Sequence, residues 1–564
     1  MDSTLHKRSR AQESRAAIER LYIAMRHLFI RGGYKPLGMS GEALIEAMLT
    51  LRPEIYGSIT DPERVELEGL LYIFQRLPQG IEEVRYIRLI TREGYENSGF
   101  KPLIPLKRRR NCYRIDEEQM FIEMTRGRSD IYDVLTHLTF LYVEAEKIRR
   151  NSVDHRGRMN REWEMLEQIV EKEAAGEAFD RQVAYSYLST ILGRTFDETV
   201  QACEEFEEAE RVNSLFHITY WMGRLSVEEV KDKNDREITF SSALREKIGH
   251  HVYGEQWAQT IKQELAQRKL LERPLHVISS NMHSVMNSLF ALSALKIKPG
   301  ERDLESVALE LSQTKNASMR QQVSDYARRH GMIEIDDFSG TNIPVQIIDL
   351  SRVPTAYLPP EIPWNAEYIE QEQPVLLVMD YAFGEQAYEA MDELLKPYEQ
   401  EGKRHPLSVK SISIMGKAGI LEGKKGDIMI PCAHVFEGTA DNYPFKNEFC
   451  KADFEGNGLR VFEGPMITVL GTSLQNKDIL RYFHKSSWKA VGLEMEGAHY
   501  QKAIQASANI RNNISPEVVL RYAYYASDNP LISGQTLASG ALGEEGVKPT
   551  YLITTRILKA ITSP

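Results

Sequence analysis

Cysteine is scarce in this chain. There are four in 564 residues, Cys112, Cys203, Cys432 and Cys450, and they are widely separated. No Cys-x-x-Cys spacing and no paired Cys/His cluster occurs, so the sequence predicts neither a zinc site nor a disulfide framework, and a reducing cytoplasm is the expected setting. Long apolar runs are missing too. The longest, such as Val375–Met379, are strand-sized, far below the roughly 20 residues a membrane-spanning helix needs. The basic N-terminal stretch has no apolar core, and the sequence therefore predicts no secretory signal. Positive charge is not in excess: 70 Lys and Arg stand against 81 Asp and Glu, for a net charge of −11, so no global field favours nucleic acid. No fixed-period repeat argues for a solenoid. What remains is an ordinary globular balance, 42% hydrophobic and 27% charged, which excludes wholesale disorder and fibrous repeats. At this length about three to four domains are expected.

The first half carries helical periodicity. Ala17, Ile18, Leu21, Ile23, Ala24, Leu28 and Phe29 recur at spacings of three and four, and ALIEAMLTL follows a Ser-Gly start and ends at Pro53. Residues 129–149 read as a long helix with a basic finish, and residues 161–211 as two or three more, broken near Gly193-Arg194-Thr195. Residues 1–270 are therefore expected to be a helical module that regulates or assembles the rest. Residues 271–370 read as a mixed α/β connecting region, containing the strand-like Leu275-His276-Val277-Ile278 and Val345–Asp349 and closing in a proline-rich loop. From 371 to 564 strands and helices alternate, which predicts an α/β domain with a largely parallel central sheet.

Several isolated signals have ordinary explanations. Lys107-Arg108-Arg109-Arg110 reads as a solvated basic loop, since no aromatic residues interleave it. His276 and His283 flank a strand-to-helix turn and read as structural. Glu204-Glu205-Phe206-Glu207-Glu208 reads as a solvated helix face.

The last third carries an ordered set of pieces. Gly416-Lys417-Ala418-Gly419 follows the apolar SISIM and reads as a flexible turn at a strand's carboxyl end, where open α/β sheets bind ligands. Then come Gly426-Asp427, Glu437-Gly438-Thr439, Glu494-Met495-Glu496 and Ser527-Asp528-Asn529-Pro530. Read as GKAGIL, KKGDIMIP, EGTADNYPF, GLEMEGAHY and YASDNPL, this order resembles the nucleoside phosphorylase and nucleosidase superfamily, and within it the AMP nucleosidases. The resemblance covers residues 374–564. It departs at Ile420, where the superfamily pattern has glycine, and in the short segment of about 35 residues between the presumed first strand and GKAG.

The resemblance implies hydrolysis of the N-glycosidic bond of a purine nucleotide or nucleoside, AMP first among them, without cofactor or metal, by a homo-oligomer that binds neither nucleic acid nor membrane. It implies Asp528 as general acid at the purine, with Tyr524, Tyr525 and Ala526 as the neighbours that raise its pKa. Glu385, in the loop after the presumed first strand, is implied as the water-activating base. Glu496 and Met495 are implied to hold the ribose, and Glu494, Gly416, Lys417, Ala418, Gly419, Glu437 and Ser527 to complete the substrate site. Superfamily phosphorylases hold phosphate with arginines in loops that here read DYAFGEQA and SISIMGKAG, without arginine, which favours water as nucleophile. A phosphorylase, or a nucleotide-sensing scaffold without turnover, remain the alternatives.

Overall fold

The computed structural model describes residues 9–108, 110–298, 300–532 and 542–564. Arg109 of the basic run, and most of the basic N-terminal stretch, lie outside the described residues. No helix among the described residues is long and apolar enough to cross a membrane. All four cysteines are free, Cys112 and Cys203 buried and Cys432 and Cys450 exposed. The chain divides into two compact units rather than three: Met1–His250 with Ser473–Asp478, and His251–Thr472 with Ile479–Pro564.

In the first unit the expected helices form, and their ends follow the local chemistry. The helix Arg10–Arg31 starts at a Ser9 capping box. Arg181–Leu192 ends on Gly193 in the left-handed conformation, and Phe196–Glu208 starts at a Thr195–Glu198 capping box, so the Gly-Arg-Thr break is a cap-to-cap junction. The helix Gly127–Ser152 is buried without interruption from Ser129 to Tyr142. Such all-round burial marks a central helix, and its acidic residues must then be neutralised. Arg110 does this, reaching both Asp130 and Asp133 at 2.7 Å with all three side chains buried. The basic run is therefore not simply a solvated loop: Arg110 is the counter-ion of the core helix.

The helical expectation for 1–270 also misses a five-stranded sheet. Its strands are β1 (Gly33–Tyr34), β2 (Tyr86–Ile90), β3 (Cys112–Arg114), β4 (Gln119–Glu123) and β5 (Glu237–Phe240), in the order β1-β5-β2-β4-β3. None exceeds five residues, too short for a period-2 pattern to stand out.

The second unit is built on ten strands: β6 (Leu275–Ser279), β7 (Met332–Ile335), β8 (Val345–Asp349), β9 (Val375–Met379), β12 (Val409–Ile420), β13 (Ile428–Phe436), β14 (Asn442–Pro444), β15 (Val461–Thr468), β16 (Gly492–Glu494) and β17 (Val519–Asp528). A separate hairpin pairs β10 (Tyr398–Gln400) with β11 (Lys403–His405). The main order is β14-β13-β15-β16-β12-β6-β9-β8-β7, and β17 pairs with both β12 and β13. The pairings β13, β15, β16, β12, β17 and back to β13 close on themselves. β6, β9, β12 and β17 run parallel, as do β13, β15 and β16.

β6 and β9 are buried at all five positions, as strands covered on both faces must be. Val277, Val375 and Leu377 enter one apolar layer, with residues of the helices Val252–Gln267, Gln386–Leu394 and Gly497–Gln505. Ile278, Leu376 and Val378 enter the other, with Met282–Leu295 and Val547–Thr562. This placement corrects the expected boundary near 370. The region 271–370 is no connector, because its β6 lies between β12 and β9 at the centre of the sheet.

Candidate active site

Gly416 to Gly419 do not form a turn. They lie inside β12, which continues unbroken to Ile420. A Cβ on Gly416 would meet the Tyr381 ring at 3.4 Å, an ordinary packing distance, so this stretch is extended strand that packs beside Tyr381. β12 pairs in parallel with β17 up to Ala418–Ala526, and after one irregular step Gly419 stands opposite Asp528. Ser527 is the extra residue of this bulge, a device that re-aims a side chain at the end of a strand. On its other side Gly419 pairs with Leu493 of β16. Two strand spacings of about 4.8 Å thus separate Asp528 from the strand that leads into Glu494, Met495 and Glu496.

Asp528 is 2% exposed. The Ser527 hydroxyl lies 2.5 Å from its Oδ1 and 3.1 Å from the Ala418 carbonyl. One hydroxyl proton cannot serve both acceptors. Both contacts are hydrogen bonds at once when the carboxyl is protonated, donates to Ser527, and leaves Ser527 to donate to Ala418. Burial raises the Asp528 pKa in the same direction, opposed by the Ser527 hydrogen bond and by the charges of Lys417 and Lys425. Its Oδ2 is buried with no hydrogen-bond partner among the described residues.

The three residues Glu494, Met495 and Glu496 divide their tasks. Glu494 accepts from the Thr468 hydroxyl at 2.5 Å, the Glu496 N–H at 2.5 Å and the Gly497 N–H, and so fixes the entry to the helix Gly497–Gln505. Met495 is buried. Glu496, half-buried, accepts from the Gly384 N–H at 2.9 Å, which ties the loop after β9 to the end of β16. Glu385 follows at the start of the helix Gln386–Leu394. The reading of Glu385 as following the first strand needs correction, because β6 is the first strand of this sheet and β9 lies beside it. Glu437 is buried at the end of β13, and its Oε1 accepts from the Leu470 N–H at 2.6 Å, a loop-holding contact. Lys417 is exposed.

Gly426-Asp427 anchors this end of the sheet. Asp427 is fully buried, pairs with Arg460 at 2.7 Å and accepts from the Lys424 N–H, while the Ala526 N–H donates to its backbone carbonyl. His276 is structural as expected: its Nδ1 is 2.8 Å from Ser411 Oγ, and burial pushes its pKa down to about 3. His283 is exposed on the first turn of Met282–Leu295.

Sequence reasoning passed over Asp380 and Tyr381, which directly follow β9. Burial raises the Asp380 pKa, with the His283 charge opposing. The signal was present in their place, immediately after the apolar VLLVM at a parallel strand's carboxyl end. Tyr500, also passed over, holds the end of β6 through a 3.1 Å contact with the Ser279 hydroxyl.

Glu494 gives a testable pH dependence. Burial first, and the Glu496 charge second, push its carboxyl up to about 8 from an ordinary 4.5, against its three hydrogen bonds. A raised carboxyl binds its proton more tightly folded than unfolded. It therefore stabilises the fold fully below pH 4.5 and loses that contribution as pH rises to about 8. Between about pH 5 and 8 stability should fall by up to about 1.4 kcal/mol per pH unit from this group. Glu494→Gln, which mimics the protonated form, should flatten the slope in urea unfolding. Equal slopes in variant and wild type would show that Glu494 is ionised in the fold.

No curated protein matches the chain. Among solved structures, the 5'-methylthioadenosine/S-adenosyl homocysteine nucleosidase of Campylobacter jejuni is 11% identical, with 52% of this chain aligned to 100% of that one at a TM-score of 0.31. Futalosine hydrolase of Helicobacter pylori strain 26695 is 12% identical, over 51% of this chain and 98% of that one, at 0.30. The MTA/SAH nucleosidase of Streptococcus pneumoniae in complex with 8-aminoadenine is 10% identical, over 51% and 99%, at 0.29. Scores this low carry no argument about the present chain. The family profile behaves differently, matching residues 42–298 and 307–563, nearly the whole length, and the chain accordingly belongs to the family described as "Family of unknown function (DUF6909)".

Proposed function

We propose that the second unit hydrolyses the N-glycosidic bond of a purine nucleotide or nucleoside, with AMP, giving adenine and ribose 5-phosphate, as the first substrate to test. The observation that carries the reading is the buried chain from Asp528 through Ser527 to the Ala418 carbonyl, which favours a protonated carboxyl at the end of β17. Glycosidic cleavage leaves negative charge on the departing base and positive charge on the sugar. A neutral carboxylic acid meets the first need by giving its proton to the purine. Glu496 meets the second, as an acceptor for ribose hydroxyls whose charge favours the oxocarbenium. Met495 packs against the sugar, and Glu385, one residue from the Gly384 contact of Glu496, orients the attacking water. Lys417, close enough to oppose the Asp528 shift, faces the substrate phosphate.

Water is the proposed nucleophile, because several arginines around this sheet already have carboxylate partners: Arg460 with Asp427, Arg521 with Glu448 and Arg511 with Asp392. The test is incubation with a panel of purine nucleotides and nucleosides in phosphate-free buffer, with free base and sugar product both quantified. The expected products are free base with ribose 5-phosphate or ribose. Strict dependence on added phosphate with a sugar 1-phosphate product would overturn the hydrolase, and absence of base from every member would overturn the enzyme in favour of a nucleotide sensor. A homo-oligomer belongs to the same proposal, and sedimentation of the full chain tests it.

A further inference from the structure

Away from these strand ends, the first unit brings together three side chains of metal-binding type. Glu82 and Glu83 lie on the short turn Ile81–Glu83 that leads toward β2, and His217 lies on the first turn of the helix Leu215–Asp232. One ligand atom from each falls within 4.8 Å of the other two. His217 Nε2 is 2.8 Å from Glu83 Oε1 and 3.8 Å from Glu82 Oε1. Zinc bonds to nitrogen and oxygen run about 2.0–2.2 Å, so the ligands of one ion lie within about 4.4 Å of each other. Little movement separates the three groups from that arrangement.

The decisive feature is Glu82. Its side chain is almost wholly buried, and its Oε2 has no hydrogen-bond partner among the described residues. A buried carboxylate oxygen without a donor is costly and calls for a cation or a proton. The other oxygens are already held as a metal site's outer contacts hold them. Asn213 Nδ2 donates to Glu82 Oε1 at 2.6 Å and is itself fixed by Gln79 at 2.8 Å. Arg114 donates to Glu83 Oε2 at 2.5 Å. The backbone makes room for that arginine: Gly80 has a φ of +83°, and a Cβ there would stand 2.8 Å from Arg114 Nη1. The Ser214 hydroxyl accepts the His217 backbone N–H at 3.2 Å and so caps the start of the helix that carries His217.

We infer that Glu82, Glu83 and His217 bind one divalent transition-metal ion that clips the turn before β2 to the helix Leu215–Asp232. Two carboxylates and an imidazole suit Zn2+, with water in the fourth position. The ion would take the place of the His217–Glu83 hydrogen bond, beside the Glu82 carboxylate, whose Oε1 is 3.8 Å from His217 Nε2.

The experiment uses the full chain, stripped with EDTA, dialysed and titrated with Zn2+ by calorimetry and with Co2+ by visible absorption, beside Glu82→Gln and His217→Gln. The expected result is one saturable site per chain with Co2+ d–d bands, weakened at least tenfold in each variant. Zn2+ at about a hundredfold excess over its Kd should raise the unfolding midpoint of the wild type by about 5 °C or more. Glu82→Gln keeps the Asn213 contact through its amide oxygen and should melt near the wild type in EDTA, so its loss of binding is not a loss of fold. The inference is overturned if the wild type binds neither ion stoichiometrically. It is equally overturned if both variants bind as tightly as wild type, which would place the ion on other histidines or cysteines.

Discussion

Asp528→Asn is expected to lower the rate of base release by about 100- to 10,000-fold, the usual worth of a positioned general acid, while ligand affinity changes little. The amide reproduces the structural half of the aspartic acid's role. Its Nδ2 donates to Ser527 as the acid proton does, leaving Ser527 to donate to the Ala418 carbonyl, so the bulge at the end of β17 is kept. It cannot transfer a proton. The pH profile adds a second readout. Asp528 has its pKa raised chiefly by burial, and only its protonated form donates, so wild-type activity should fall as pH rises through that pKa. The residual activity of Asp528→Asn should lack this limb. Near-wild-type turnover in the variant would reduce Asp528 to a structural residue closing the strand.

The parts of this molecule that were legible in the sequence are those whose cause is local. Thr195 and Gly193 announce a helix start and a helix stop because capping chemistry acts over three or four residues. Val375–Met379 announces a buried parallel strand because five apolar residues in a row leave no solvent face. Ser527-Asp528 announces a strand-end carboxyl. What stayed illegible depends on partners distant in the chain. Gly416 to Gly419 looked like a turn because glycine usually buys backbone freedom, whereas here they are held extended by pairing with β17 and β16, strands distant in the chain. Arg110 looked solvated because its partners, Asp130 and Asp133, lie on a later helix. Glu82 and His217 stand 135 positions apart by their numbering, with no spacing rule to join them. β6 was legible as a strand but not as the centre of the sheet, since the order of parallel strands is set by crossovers that no local pattern encodes.

That last point fixes where the chain can be cut. A fragment of residues 371–564 carries every motif of the resemblance, yet it is expected not to fold, whereas residues 251–564 should unfold cooperatively as one unit. The shorter piece lacks β6, which pairs in parallel with β12 on one side and β9 on the other. Without it β9 loses its link to the remaining strands, for its other neighbour, β8, is removed as well. Leu275, Val277 and Ile278 go from the two apolar layers, each worth roughly 1.5–3 kcal/mol of burial. With them go Met282–Leu295, buried from Ser284 to Ala294, and the cover over Leu376 and Val378. These losses together exceed the roughly 5–15 kcal/mol by which a domain is stable. The longer piece keeps all ten strands and both layers. Circular dichroism and urea unfolding of the two fragments decide the matter: a cooperative transition in residues 371–564 would show that β6 is dispensable to the fold of this unit.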